Sequence, residues 1–138
     1  MSARRQTIRG FSLAELLIVV AIAAVLAMIA IPSYSEHIRK TRRTEATSAL
    51  LDLANRMERY YSDQGTYTGA TVVGLRGSDQ SDNGHYTLSA SALAADSYSL
   101  QAAPTSTSQS SDKCGNFTLT STGEQGVSGS GMSAADCW

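Results

Sequence analysis

Between Phe11 and Ile31 the chain runs for twenty-one residues with a single charged side chain, Glu15. A hydrocarbon core about 30 Å thick takes about 20 helical residues to cross, so the run is long enough to span a membrane. Leu, Ile, Val, Ala and Met dominate it, and nothing interrupts a helix before Pro32. A secretory signal peptide has a basic start, an apolar stretch of about 7–15 residues and a small-residue cleavage site behind it. Arg4, Arg5 and Arg9 supply the basic start, but the run is longer and Pro32-Ser33-Tyr34 leads directly into a charged helical pattern. The run therefore reads as a retained membrane segment.

The rest of the 138-residue chain leaves roughly a hundred residues for a water-soluble body, enough for one small core. Formal charge is −1 overall, but from Tyr60 onward only Arg76 and Lys113 oppose Asp63, Asp79, Asp82, Asp96, Asp112, Glu124 and Asp136. Such an acidic body is poorly suited to gripping a phosphate backbone. Two cysteines, Cys114 and Cys137, behind a membrane-directing segment point to a disulfide in an oxidising compartment; the alternative is two unrelated buried thiols. Closing that loop is worth roughly 3 kcal/mol on the chain-entropy model. The cysteines also decide orientation. Arg4, Arg5 and Arg9 before the run nearly balance Arg39, Lys40, Arg42 and Arg43 after it, so the disulfide puts the N-terminus inside and the body outside.

Glu15 remains to be explained. A charge well inside a bilayer costs about 2.5–3.5 kcal/mol on insertion scales, so such residues tend to be functional and partnered. The plain reading is a carboxylate snorkelling near the end of the run. The sharper reading starts at the Gly10–Phe11 bond. Cleavage there would give Phe11 a new α-amino group, with Glu15 five residues into the product. Side by side in an assembly, one subunit's carboxylate would neutralise another's ammonium and fix axial register.

The stretch Arg9-Gly10-Phe11-Ser12-Leu13-Ala14-Glu15-Leu16, followed by an apolar helix, resembles the class III leader junction of type IV prepilins. The resemblance implies a dedicated peptidase that cuts after Gly10 and methylates Phe11, with Glu15 acting in assembly; Ala14 stands where Leu or Ile is more usual. Pro32 matches the mid-helix proline of the family, where the helix bends. The body resembles the minor-pilin branch at Arg59-Tyr60-Tyr61-Ser62, at Gly65-Thr66-Tyr67-Thr68, from Asp112 to Thr120, and in the ending Ala135-Asp136-Cys137-Trp138.

The residues independently predict an α+β fold. Proline bends a helix without always ending it, and Tyr34, Ile38, Ala46, Leu50, Leu53, Met57 and Tyr60 recur at spacings of three and four, with one gap across Arg42. Gly65 is a natural stop. At 1.5 Å per residue the helix from Phe11 to Tyr61 would reach roughly 75 Å. Residues 65–84 read as a loop. Alternation predicts strands at Tyr86–Ser89, Ser97–Gln101, Phe117–Thr120 and Glu124–Gly129, with a loop over Thr105–Asp112. The expected whole is a long helix packed on a small antiparallel sheet of about four strands with a C-terminal disulfide loop. The divisions are a leader (1–10), a transmembrane and filament-core segment (11–31), an amphipathic helix half (32–64) and a globular head (65–138).

Nothing supports catalysis. His37 and His85 lie apart from any nucleophile and read as surface or packing residues. Asp79-Gln80-Ser81-Asp82-Asn83-Gly84 has oxygen ligands for calcium but neither the spacing nor the closing Glu of an EF-hand; no metal and no cofactor is expected. Arg39, Lys40, Arg42 and Arg43 read first as a solvated face with Glu36 and Glu45 nearby, then as a subunit contact. DNA has the least support, since no aromatic residues interleave the charges. Trp138 reads first as a packing lid on the disulfide loop, and otherwise as an exposed contact aromatic.

The resemblance thus implies a structural subunit of a type IV pilus, of the minor class, supporting pilus biogenesis, adhesion and twitching motility. A major pilin, a type II secretion pseudopilin and a membrane-anchored DNA- or surface-binding module are the alternatives. The implied partners are other pilin subunits, prepilin peptidase, and the assembly machinery of the inner membrane. The precursor would sit in that membrane and the product in an extracellular pilus.

Overall fold

Helix α1 (Leu13–Gln64) is continuous through Pro32 in the computed structural model, which describes residues 10–138. Residues 1–9 of the expected leader (1–10) lie outside the described residues. Two compact units divide the chain, one up to His37 and the other Ile38–Trp138, and α1 has a part in each.

In the first unit the side chains from Phe11 to Ile31 bury almost nothing within the chain; Leu16, Ile18, Val20 and Ile22 are all more than half exposed. This stretch is long and apolar enough to cross a membrane. Pro32 brings no N–H, so the Met28 carbonyl lacks its helical donor. Tyr34, which the spacing put on the buried face, is exposed.

In the second unit α1 buries Arg43, Ala46, Ala49, Leu50, Leu53 and Met57, so the stripe follows the expected spacing. Burying a Leu or Met side chain fully contributes about 1.5–3 kcal/mol, and Leu50, Leu53 and Met57 are each sealed from solvent. Gly65 ends the helix as expected, at φ 70°, donating to the Tyr61 carbonyl at 2.7 Å; a side chain would resist that left-handed conformation.

Four antiparallel strands form a meander in the order β1 (Tyr86–Ser91), β2 (Ser99–Pro104), β3 (Phe117–Thr120) and β4 (Gln125–Val127). Inward positions alternate as the sequence requires: Tyr86 and Leu88, Leu100 and Ala102, Phe117 and Leu119 are buried. Register sets large against small, with Leu88 opposite Ala102 and Ala102 opposite Phe117. The second strand starts two residues later than alternation suggested and runs to Pro104, where the ring removes the next donor.

Two expected loops contain helical turns. Residues 65–84 include α2 (Val72–Arg76), capped by the Thr71 hydroxyl, which accepts from the Gly74 N–H, and closed by Gly77 at φ 82°. Thr105–Asp112 includes α3 (Thr107–Ser110), capped by Ser106. Each is too short to show a 3.6-residue period, and only the cap residues betray them.

Cys114 and Cys137 are joined, with Cα atoms 5.9 Å apart and both residues buried. The bridge ties α4 (Ala134–Cys137) to the chain entering β3. Trp138 packs its ring edgewise on Phe117, centroids 6.1 Å apart, and its Nε1–H donates to the Gly126 carbonyl at 3.2 Å. It therefore closes over the disulfide loop and occupies a carbonyl on β4, the sheet's last strand.

Candidate functional site

At the start of α1, Ser12 and Glu15 cap one another. The Ser12 N–H donates to Glu15 Oε2 at 2.9 Å, and the Glu15 N–H donates to Ser12 Oγ at 3.2 Å. This reciprocal capping box satisfies two amides that a helix start otherwise leaves open. Glu15 thus has a partner on its own chain, a role that Ser-x-x-Glu ahead of an apolar run signals in sequence. Gly10 and Phe11 precede the helix and are exposed. Gly10, Phe11, Glu15 and Pro32 all fall in the first unit, and Cys114 and Cys137 in the second.

The basic cluster is not a uniformly solvated face. Arg43 is buried and holds Asp112 with two bonds, Nε to Oδ2 at 2.8 Å and Nη2 to Oδ1 at 2.5 Å. Such a bidentate pair is the geometry for which guanidinium and carboxylate are matched. Arg39 donates from Nε to the Ser108 carbonyl, and the buried Gln109 donates from Nε2 to the Arg39 carbonyl and to the Tyr86 hydroxyl. Two of the four cations therefore fasten the 105–112 segment onto α1. Arg43 lies three residues before Ala46 and seven before Leu50, so it belongs to the buried stripe.

His85 is not isolated either. Its Nδ1 lies 2.7 Å from Glu45 Oε2, and the same carboxylate accepts from the Ser81 hydroxyl, the Asn83 N–H at 2.9 Å and Asn83 Nδ2 at 3.3 Å. Burial alone would raise the Glu45 carboxyl, but the bonds from Ser81, His85 and Asn83 outweigh it and hold the group at about 2. The 79–84 loop is organised around this side chain. Its Asp79 carbonyl accepts from the Leu88 N–H, and Asp82 turns to Arg76. No group of three or more His, Cys, Asp or Glu able to hold a metal occurs among the described residues.

A third polar cluster joins the Tyr67 and Tyr98 hydroxyls, which both donate to Glu58 Oε1 at 2.9 and 3.0 Å. Burial first, and then the bond to Glu58, push the Tyr67 phenol up to about 12. These hydroxyls stay protonated across the physiological range and act as structural donors.

Two family models match the chain. One, described as a prokaryotic N-terminal methylation motif, matches residues 5–31. The other, described as the type IV minor pilin ComP, DNA uptake sequence receptor, matches residues 32–118. Among solved structures, the non-core minor pilin PilV of Neisseria meningitidis is similar at 30% identity, over 72% of this chain and 95% of that one, with a TM-score of 0.59. A type IV pilin from Shewanella oneidensis is 26% identical over 72% of this chain and 97% of that one, with a TM-score of 0.48. No curated protein gives a significant sequence match. With a methylation motif on the apolar helix, and a meander sheet and disulfide loop in the head, the chain belongs to the type IV minor pilins.

Proposed function

We propose that this minor pilin is made as a precursor cut between Gly10 and Phe11, methylated at Phe11, and built into a pilus by packing residues 11–31 among the helices of other pilin subunits. The leader is residues 1–10, residues 32–64 carry the helix into the head, and residues 65–138 form the rest of the head. Before assembly the precursor is held in the inner membrane by residues 11–31; afterwards the head is displayed on an extracellular fibre. Prepilin peptidase and the inner-membrane assembly machinery are its transient partners. Its role is structural, without catalysis. The observation that carries this reading is the apolar stretch itself, which buries almost nothing within the chain and needs first lipid and then other helices around it. Glu15 pairs with the ammonium of a neighbouring subunit's Phe11, and Pro32, which removes one helical hydrogen bond, lets the helix adjust locally on assembly.

The test is the N-terminal mass of protein recovered from cells with the matching processing machinery. A chain starting at Phe11 and about 14 Da heavier, the mass of one methyl group, is expected in sheared fibres; a chain still starting at Met1 or Ser2 overturns the reading. Glu15→Ala should insert into the membrane normally yet fail to enter fibres, and normal incorporation would refute the register role.

A second reading, that the head captures DNA, is favoured by the match of residues 32–118 to a family described as a DNA uptake sequence receptor. The second unit carries eight Lys and Arg against ten Asp and Glu, so a duplex must be met by local cations rather than by net charge. Lys40, Arg59 and Lys113 are exposed and Arg42 half-buried. With about three phosphate contacts, log K should fall with log salt at a slope of about −3. Binding without salt dependence, or unaffected by Arg42→Ala with Lys113→Ala, would remove this reading.

A further inference from the structure

On the head, Arg76 forms the floor of a groove between α1 and the 78–84 loop. Its side chain is 9% exposed and fixed by three bonds: Nε to Asp52 Oδ2 at 3.1 Å, Nη1 to the Gln80 carbonyl at 2.9 Å, and Nη2 to Asp82 Oδ1 at 3.2 Å. Arg56 adds a second guanidinium on Asp52 Oδ2 at 2.9 Å. Two hollows of about 480 and 420 Å³ open beside this array and share Arg76 and Asp82. Ser48, Asp52 and Arg56 line the first; Ser78, Gln80 and Gly84 line the second. Together they are of the size that holds small ligands.

We propose that this groove binds a neutral, hydroxyl-rich ligand, a sugar residue or short saccharide. Asp52 Oδ1, Asp82 Oδ2 and Ser48 Oγ carry no hydrogen bond among the described residues, so three acceptors are open beside a rigid cationic floor. Hydroxyl groups suit such an array because each can donate to a carboxylate and accept from a guanidinium. Formal charge along the groove balances, with Asp52 and Asp82 against Arg56 and Arg76. A ligand of either net charge therefore gains little from the field, whereas a neutral donor–acceptor ligand loses nothing. Arg76 and Asp52 are held before any ligand arrives, which removes part of the ordering cost of binding. No aromatic side chain lines either hollow, so affinity is expected in the millimolar range, about −4 kcal/mol. The proposal does not depend on how the subunit is processed or what else its head contacts.

Backbone-amide NMR on the full chain, in a phosphocholine detergent that brings no sugar of its own, tests this. Glucose, galactose, N-acetylglucosamine and their disaccharides are titrated, with ethanolamine and acetate as charged probes. Expected are saturable shifts confined to Ser48–Arg56 and Arg76–Gly84 with at least one sugar. Asp82→Ala and Ser48→Trp should each weaken binding at least tenfold; Asp82 is 87% exposed, so its removal should leave the fold intact. Shifts with ethanolamine or acetate but none with sugars would make this an ion site and overturn the proposal. So would unchanged affinity in both variants, or no shift with any sugar.

Discussion

Replacing Glu45 by Gln removes a charge while keeping shape, and the consequence follows from its donors. Oε1 accepts from the Ser81 hydroxyl and the Asn83 N–H, and Oε2 from Asn83 Nδ2 and His85. Glutamine keeps one carbonyl oxygen and places an NH₂ where the other stood, so one pair of donors then faces a donor. Hydrogen bonds to a charged group contribute about 1.5–3 kcal/mol each, and an orphaned partly buried donor costs about 1–3. Some relaxation is available because Asn83 is exposed, so the net loss should be about 2–3 kcal/mol. In a domain of about 100 residues each kcal/mol moves the midpoint by about 4–8 °C, giving a fall of roughly 10–20 °C at pH 7. The damage should be local first. Ser81 donates its N–H to the Tyr86 carbonyl, and Asp79 accepts from the Leu88 N–H, so the loop that Glu45 holds is also what covers the outer edge of β1.

The pH dependence provides the refuting experiment. The folded Glu45 carboxyl lies at about 2, below its ordinary 4.5. A depressed carboxylate contributes stability that is present in full above the unfolded value and lost as pH falls through the folded one. The gap between the native chain and Glu45→Gln should therefore be full at pH 7 and close between about pH 4.5 and 2. Thermal melts of both proteins in detergent, at pH steps across that window, measure it. A gap under about 2 °C at pH 7, or one that persists at pH 2, would show that the carboxylate does not hold the loop.

Three further outcomes are expected. Asp112→Ala leaves Arg43 buried without its carboxylate and should cost about 3–5 kcal/mol, whereas Arg43→Met with Asp112→Leu should recover most of it; equal melting points for the two variants would refute the pairing argument. Reducing the Cys114–Cys137 bridge should lower stability by roughly 3 kcal/mol in denaturant titration, and an unchanged midpoint would mean that the loop is held by packing alone. Gly129→Ala would drive a methyl into the backbone carbonyl of Lys113, so the variant should unfold or lose the β3–β4 end of the sheet by amide exchange; native-like protection there would disprove that close approach.

How much was legible depended on whether the signal was local. The long helix, its stop at Gly65 and the four strands follow from periodicity and turn residues, because each is decided by neighbours a few positions away. Arg43 with Asp112 is separated by 69 positions, and Glu45 with His85 by 40. No pattern in the chain announces such pairs, so the basic cluster read as solvated and His85 as isolated. Yet part of the missing information was local. Arg43 continues the stripe of Ala46 and Leu50, and only the expectation that a cation faces water hid it. Glu15 carries the same lesson in reverse. Its charge drew an explanation from a distant partner, while Ser12 three residues earlier supplies one from its own chain. The two roles are compatible. A carboxylate bonded to its own helix start is cheaper to hold in an apolar segment than a bare one, and cleavage after Gly10 would leave the Ser12 amide in place. On the proposed pathway the local cap would stabilise the subunit before assembly and the ammonium partner would be added on assembly, so Ser12 and Glu15 are best tested as a pair.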